Sequence, residues 1–296
     1  MNSEFHHIPV LQDEVINFLS PKPGERLLDC TLGLGGHAKA LIDTAGGDLE
    51  LVGIDADPDN LSVARENLLT VNCQLFHANF RQLADLHLGT FDIILADLGV
   101  SSPHFDDPDR GFSLRSDGPL DMRLDRTSGV TAAQLIAESS EASLANILYE
   151  YGEIRQSRKL AAAIKVALPT TTKELRTLCE TLFGYRAPGI LPQVFQALRI
   201  AVNDELGALQ SLLQCAPNML KPGGRLGIIS FHSLEDRLVK KCFKEYSTPK
   251  INETTGAPIA PAPFVLVTKK AIQPTAEEVE NNPRSRSAKF RVILFV

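Results

Sequence analysis

Residues 28–38 read L-D-C-T-L-G-L-G-G-H-A, an apolar run that opens into a glycine turn and then a helical pattern. A second apolar run follows and ends in I54-D55-A56-D57. No other stretch restricts the fold as much. Glycines let a backbone approach a nucleoside closely, and a carboxylate at the end of the next strand can accept both hydroxyls of a ribose. The chain is therefore expected to bind an adenosine-containing cofactor in an α/β fold.

Strand and helix signals alternate around this turn. Residues 26–30 read as a buried strand and 49–55, 73–77 and 91–97 as three more strands, the last nearly continuous in apolar residues, with helices over 36–45 and from Pro58 to about Leu69. Short apolar runs separated by helical patterns predict a parallel sheet covered on both faces. The alternation stops after residue 104. A polar loop (105–128) is followed by helical patterns only, the clearest being the apolar series Val194, Leu198, Val202, Leu206, Leu209 and Leu213. Lys221-Pro222-Gly223-Gly224 reads as a turn, after which come a strand at 225–230, a helix at 234–246 and strands at 264–269 and 289–295. The last two strands are separated by a segment without a clear crossover helix, so they are expected to pair antiparallel. A doubly wound sheet closing on a hairpin is typical of class I S-adenosylmethionine-dependent methyltransferases, a Rossmann-like fold. The expected organisation is a cofactor-binding domain formed by 1–104 and 211–296, interrupted by a helical insertion domain over 105–210.

Composition excludes several classes. The chain has 296 residues, 44% hydrophobic and 22% charged, as in a globular protein. No run is long enough for a membrane span, and residues 1–10 lack a secretory pattern, so a cytoplasmic protein with no membrane partner is expected. The five cysteines (Cys30, Cys73, Cys179, Cys215, Cys242) are scattered and never spaced C-x-x-C, and His6 and His7 are near-terminal, so no metal site is expected. The net charge of −6 argues against non-specific nucleic-acid binding, but the basic residues cluster. Residues 237–250 carry Arg237, Lys240, Lys241, Lys244 and Lys250 against Glu245, and residues 284–291 carry Arg284, Arg286, Lys289 and Arg291 with no acid. Each cluster is either an ordinary solvated face or a surface for phosphate.

The glycine turn, with Gly33, Gly35 and Gly36, also satisfies the dinucleotide form G-x-G-x-x-A, so an NAD-dependent oxidoreductase stays open as an alternative. Asp57, before Pro58, suits a helix cap, which leaves Asp55 for the ribose. Asp97 ends the fourth strand in D-L-G-V-S-S-P and should face the same crevice, near the methyl donor or its acceptor, unless it caps a turn. Ser101 and Ser102 are either hydrogen-bonding groups toward a substrate or turn residues.

The motifs D97-L-G-V-S-S-P, R110-G-F-S, D117-G-P-L-D-M-R, F195-Q-A-L-R-I-A-V-N-D-E-L, K221-P-G-G-R-L, S230-F-H-S-L-E-D-R and N282-P-R-S-R-S resemble those of the ribosomal RNA small subunit methyltransferase H family. With His37 and an H-I-P-V-L start, the resemblance runs from about His7 to Phe295. It implies methylation of the exocyclic amine N4 of a decoding-centre cytidine in 16S rRNA, with S-adenosylmethionine as donor and the small ribosomal subunit as partner. The family's cofactor contacts fall on Gly35, Gly36, His37, Asp55, Phe80, Asp97 and His104. Cys30 stands where the family generally has a smaller residue, and His104 where it often has glutamine. The D/N/S-P-P-Y/F motif of many amine methylases is replaced here by D-L-G-V, so Phe105 or Phe112 becomes a candidate to hold the base, or else an anchor of its loop.

Asp97, with Ser101 or Ser102, is expected to accept a hydrogen bond from the amine. His232, in the S-F-H-S motif, is the second candidate to face the acceptor, or else a core or capping residue. Asp121 and Arg123 are expected to order the loop or touch RNA. The insertion and the 105–128 loop are expected to form a substrate-recognition lid, with both basic segments meeting phosphate. A non-catalytic RNA-binding assembly factor is the remaining alternative, and a homodimer is left open.

Overall fold

The computed structural model describes residues 9–252 and 258–296. His6, His7 and Ile8 lie outside them. The chain forms two compact units, Met1–Gly99 with Gly207–Val296, and Val100–Leu206. The interruption thus begins at Val100, ahead of the expected position 105, and Ser101, Ser102 and His104 belong to the second unit.

In chain order, the first unit opens with α1 (Gln12–Leu19), β1 (Glu25–Asp29), α2 (Gly36–Thr44), β2 (Leu49–Asp55), α3 (Pro58–Asn67), β3 (Cys73–His77) and β4 (Phe91–Asp97). The second unit holds α4 (Ser102–Asp106), α5 (Ala132–Glu138), α6 (Glu141–Glu150), α7 (Ser157–Ala167), α8 (Thr172–Phe183) and α9 (Ala187–Asn203). Then come α10 (Glu205–Cys215), β5 (Leu220–Ser230), α11 (Ser233–Tyr246), β6 (Lys250–Ile251), β7 (Pro258–Ala260), β8 (Phe264–Leu266), α12 (Ala276–Asn281) and β9 (Lys289–Phe295).

The sheet has seven strands in the order β3-β2-β1-β4-β5-β9-β8, parallel from β3 to β5 and antiparallel at β9 and β8. Side chains alternate between faces along each strand. Leu27, Leu51, Ile93 and Leu95 pack on one face with Leu41 of α2 and Leu61 of α3. Leu28, Val52, Ile54, Ile94 and Ala96 pack on the other with Leu209 and Leu212 of α10 and Val239 of α11. Asp57 caps α3 through Asp59 N–H at 2.9 Å, with Pro58 in the first turn.

Three local expectations need correction. Lys221–Gly224 is not a turn before β5 but a bulge within it: pairing with β4 jumps from Phe91↔Leu220 to Ile93↔Arg225, and Gly223 supplies φ +80°. The apolar series from Val194 to Leu213 is not one helix, because Asp204 turns left-handed at φ 45° and separates α9 from α10. The segment between the last strands does hold a short helix, α12, capped by Thr275 Oγ1 accepting from Glu278 N–H at 3.1 Å.

The second unit builds its core from Phe112, Leu120, Met122, Leu148, Leu160, Leu175 and Leu198 among others. Its sequence motifs interlock. Asn203, at the end of α9, accepts from Leu124 N–H at 2.8 Å and donates to the Met122 carbonyl at 2.8 Å. Arg110 Nη2 donates to the Arg123 and Leu124 carbonyls at 3.1 and 2.9 Å, and Met122 N–H donates to the Arg110 carbonyl at 3.0 Å. These bonds hold buried Met122 in a left-handed conformation at φ 64°, costly for a non-glycine residue.

Candidate functional site

The site begins with strand register. Asp29 of β1 lies level with Gly53 of β2 and Leu95 of β4. Asp55 and Asp97 stand two residues further along their strands. By alternation all three carboxylates emerge on the same face, the one covered by α2, at the carboxyl ends of three adjacent strands. In open α/β sheets ligands bind at that edge, where strand order reverses.

The glycine turn is tied to this row. Gly33 N–H donates to Asp55 Oδ2 at 2.7 Å, and Asp57 N–H donates to Oδ1 at 2.8 Å. Asp55 therefore shapes the loop beside it. Gly35 caps α2 at φ 84°, and a Cβ on Gly36 would come within 2.8 Å of Pro9 Cγ, so the turn tolerates no side chain there. His37 follows in the first turn of α2. It is 8% exposed, and its Nε2 lies 3.5 Å from Asp97 Oδ2. Among the described residues, neither His37 nitrogen nor Asp97 Oδ1 finds a hydrogen-bond partner. Buried polar atoms are rarely left without a partner, so these atoms suit contact with a ligand or with water.

Thr31 joins the row to the turn. Its N–H donates to Asp29 Oδ1 at 3.1 Å, and its Oγ1 accepts from Asp97 N–H at 2.6 Å. Neither Asp29 nor Thr31 stood out in the sequence, where Asp29 reads as the end of an apolar run. The available signal was an acid directly before the glycine turn. Asp29 is 2% exposed, and burial pushes its carboxyl up to about 7. Cys30, on the opposite face, has its thiol held well above the usual range by burial and by Asp29. Phe80 is half-buried in a one-turn helix, Phe80–Gln82, capped by Asn79 Oδ1 accepting from Arg81 N–H at 3.0 Å.

His232 is the N-cap of α11. Its Nδ1 accepts from Glu235 N–H at 3.4 Å, and Nε2 lies 3.1 Å from Glu235 Oε1. Glu235 Oε2 in turn accepts from Phe231 N–H at 2.8 Å and His232 N–H at 3.2 Å. Its Nδ1 thus caps the helix, while its buried Nε2 finds no hydrogen-bond partner among the described residues.

In the second unit, Ser101 caps α4 and Ser102 is the first residue of that helix. His104 is buried; its Nδ1 accepts from Ser101 N–H at 3.0 Å and lies 2.8 Å from Ser101 Oγ. The ring proton thus belongs on Nε2. Phe112 packs edge-on against His104, with centroids 5.2 Å apart, inside the apolar core. That makes Phe112 an anchor rather than a base platform, and Phe105 packs against the same core. Arg123 grips Asp121 with Nε and Nη2 at 2.8 and 2.9 Å, which holds the Asp121 carboxyl low despite its burial. This pair orders the loop.

The basic segments separate. Lys289 and Arg291 reach the same Asp236 carboxylate at 3.4 and 2.7 Å, which offsets part of their charge. The ion pairs depress the Asp236 carboxyl against the opposing effect of burial. Arg237, Lys240, Lys241 and Lys244 stay exposed on α11, and Lys250 beyond it. No described helix is long and apolar enough to cross a membrane.

Comparison with known proteins places this geometry in a family. A family model described as "MraW methylase family" matches residues 4–296. A protein of Granulibacter bethesdensis named "Ribosomal RNA small subunit methyltransferase H" is 46% identical, over 97% of this chain and 90% of its own length. Proteins of the same name from Crocosphaera subtropica and Bacteroides thetaiotaomicron are 45% and 43% identical, over 96% and 97% of this chain and 88% and 96% of theirs.

Proposed function

The chain belongs to the MraW methylase family, and we propose that it methylates the exocyclic N4 of a decoding-centre cytidine in 16S rRNA within the small ribosomal subunit. The observation that carries this reading is the row of Asp55, Asp29 and Asp97 above the glycine turn, with His37 and Asp97 presenting buried polar atoms. Those atoms and the glycines of the turn, with no room for a Cβ at Gly36, fit S-adenosylmethionine. Gly35, Gly36 and His37 would hold its amino-acid end at the N-terminus of α2. Asp55 would take the ribose hydroxyls and Phe80 the adenine.

When bound, S-adenosylmethionine supplies a methyl carbon made electrophilic by the sulfonium. Cytosine's amine is a poor nucleophile because its lone pair is delocalised into the ring. Asp97, accepting a hydrogen bond from that amine, localises the pair and favours the tetrahedral nitrogen of the transition state. The amine proton then passes to the same carboxylate. Thr31 fixes the Asp97 backbone, and His37 flanks its other oxygen. Alignment of nucleophile and methyl carbon contributes most, about 7–11 kcal/mol in well-oriented reactions.

The oxidoreductase alternative falls with the methylase family. An assembly factor without turnover would not need an acceptor such as Asp97 Oδ1 left for a substrate amine. Such an RNA substrate fits a cytoplasmic enzyme, active as a monomer or homodimer. The deciding experiment incubates the protein and labelled donor with small subunits lacking the modification, then maps the label by nuclease digestion and mass spectrometry. N4-methylcytidine in the decoding centre is expected; label on another base, or none, overturns the reading.

RNA contact is assigned to α11 and to the helical unit. Replacing Lys240, Lys241 and Lys244 with glutamate is expected to lower the log–log salt slope of subunit binding by about 2. Donor affinity should not change, and an unaltered slope would remove α11 from the interface. At the junction of α8 and α9, Tyr185 is 93% exposed beside exposed Arg186, a pairing suited to base stacking. Tyr185→Ala is expected to weaken subunit binding by about 1–3 kcal/mol. Equal affinity in a filter-binding assay would mean that the ring faces solvent throughout.

A further inference from the structure

We propose that Asp29 is the charge selector of the cofactor cleft: ionised, it favours the cationic donor S-adenosylmethionine, and protonated, it abolishes the preference over the neutral product S-adenosylhomocysteine. The proposal rests on the donor binding beside the carboxylate row and glycine turn described above. Asp29 is the middle member of the carboxylate row, flanked on both sides in the sheet by strands that end in Asp55 and Asp97. It is the only one of the three that is 2% exposed, and Thr31 N–H fixes one oxygen at 3.1 Å. The charged and titratable groups facing it are His37 from α2, Asp97 from β4 and Asp55 from β2.

Burial pushes the Asp29 carboxyl up from 3.8 to about 7; His37 and the Thr31 N–H oppose that rise, and Asp97 and Asp55 add to it. A sulfonium brought into this row stabilises the carboxylate, so the carboxylic proton leaves to solvent as the donor binds. The product keeps the same α-ammonium and lacks only the sulfonium charge, so it stabilises the carboxylate less. Donor affinity should therefore rise as pH climbs through about 7, and product affinity should rise less. The sign for the unliganded fold is opposite. Because the folded chain holds this proton more tightly than the unfolded one, Asp29's contribution to stability is greatest below 3.8 and is lost as pH rises toward 7.

Titration calorimetry of both ligands between pH 6 and 8, on wild type and Asp29→Asn, tests this. In wild type the donor-to-product affinity ratio is expected to rise by about tenfold across that range beyond the change in Asp29→Asn, which controls for the ligands' own ionisations. Parallel curves for the two proteins would overturn the proposal. If Asp29→Asn binds neither ligand, carbon-13 NMR of the wild-type carboxyl decides: its midpoint should fall further on adding donor than on adding product. Ligands that shift His37 resonances but leave the Asp29 midpoint unmoved would remove the selector and keep the cleft. Ligands that shift neither would remove both.

Discussion

Asp97→Asn is expected to slow methyl transfer to small subunits by about 100-fold or more, with donor affinity falling less than about fivefold. The substitution keeps the shape of the side chain and leaves the backbone bond to Thr31 untouched. It replaces a carboxylate, which can only accept, with an amide that accepts more weakly and takes no proton. Both losses act when the nitrogen becomes tetrahedral, so they belong to turnover. Single-turnover rates and calorimetric donor affinity, measured on the same preparation, separate the outcomes. Equal losses in both would make Asp97 a cofactor ligand and move the acceptor role elsewhere.

Gly118→Ala should destabilise the helical unit by about 3 kcal/mol or more. A Cβ on Gly118 would fall on the Pro108 carbonyl, a backbone group that cannot rotate aside. Neither partner can retreat. Gly118 N–H donates to Thr172 Oγ1 at 3.1 Å, Thr172 N–H returns to the Gly118 carbonyl at 2.9 Å, and Thr172 Oγ1 donates to the Ser116 carbonyl at 2.8 Å. Hydrogen exchange over α5 to α9 measures the effect. Wild-type protection in the variant would show that the loop can shift without cost.

Much of the first unit was legible because its signals are local. Apolar runs bounded by Gly, Pro and Asp marked β1, β2 and β4, and Asp57 before Pro58 announced α3. Contacts far apart in the chain were not legible. Thr31 meets Asp97 across 66 positions, and Asp236 meets Lys289 and Arg291 across 53 and 55. The second pairing brings an acid from α11 against two of the four cations of a segment that looked uniformly basic. Asp29 was hidden for a different reason: a buried acid looks like an interruption of a strand until register brings its neighbours alongside. Several long motifs that carried the family resemblance brace one another, as Asn203 and Arg110 do around Met122. A conspicuous sequence pattern can therefore reflect backbone held against backbone as readily as contact with a ligand.

The order β2-β1-β4 carries one more implication. The chain leaves β1 and β2 through helices on one side of the sheet and enters β5 through α10 on the other. Where such paths part company, open α/β sheets take their ligands beyond the strand ends. Winding direction sets that place, and side chains only furnish it. Substitution can blunt the chemistry here, but a mouth for the nucleoside should survive in any variant that still threads its strands in this sequence.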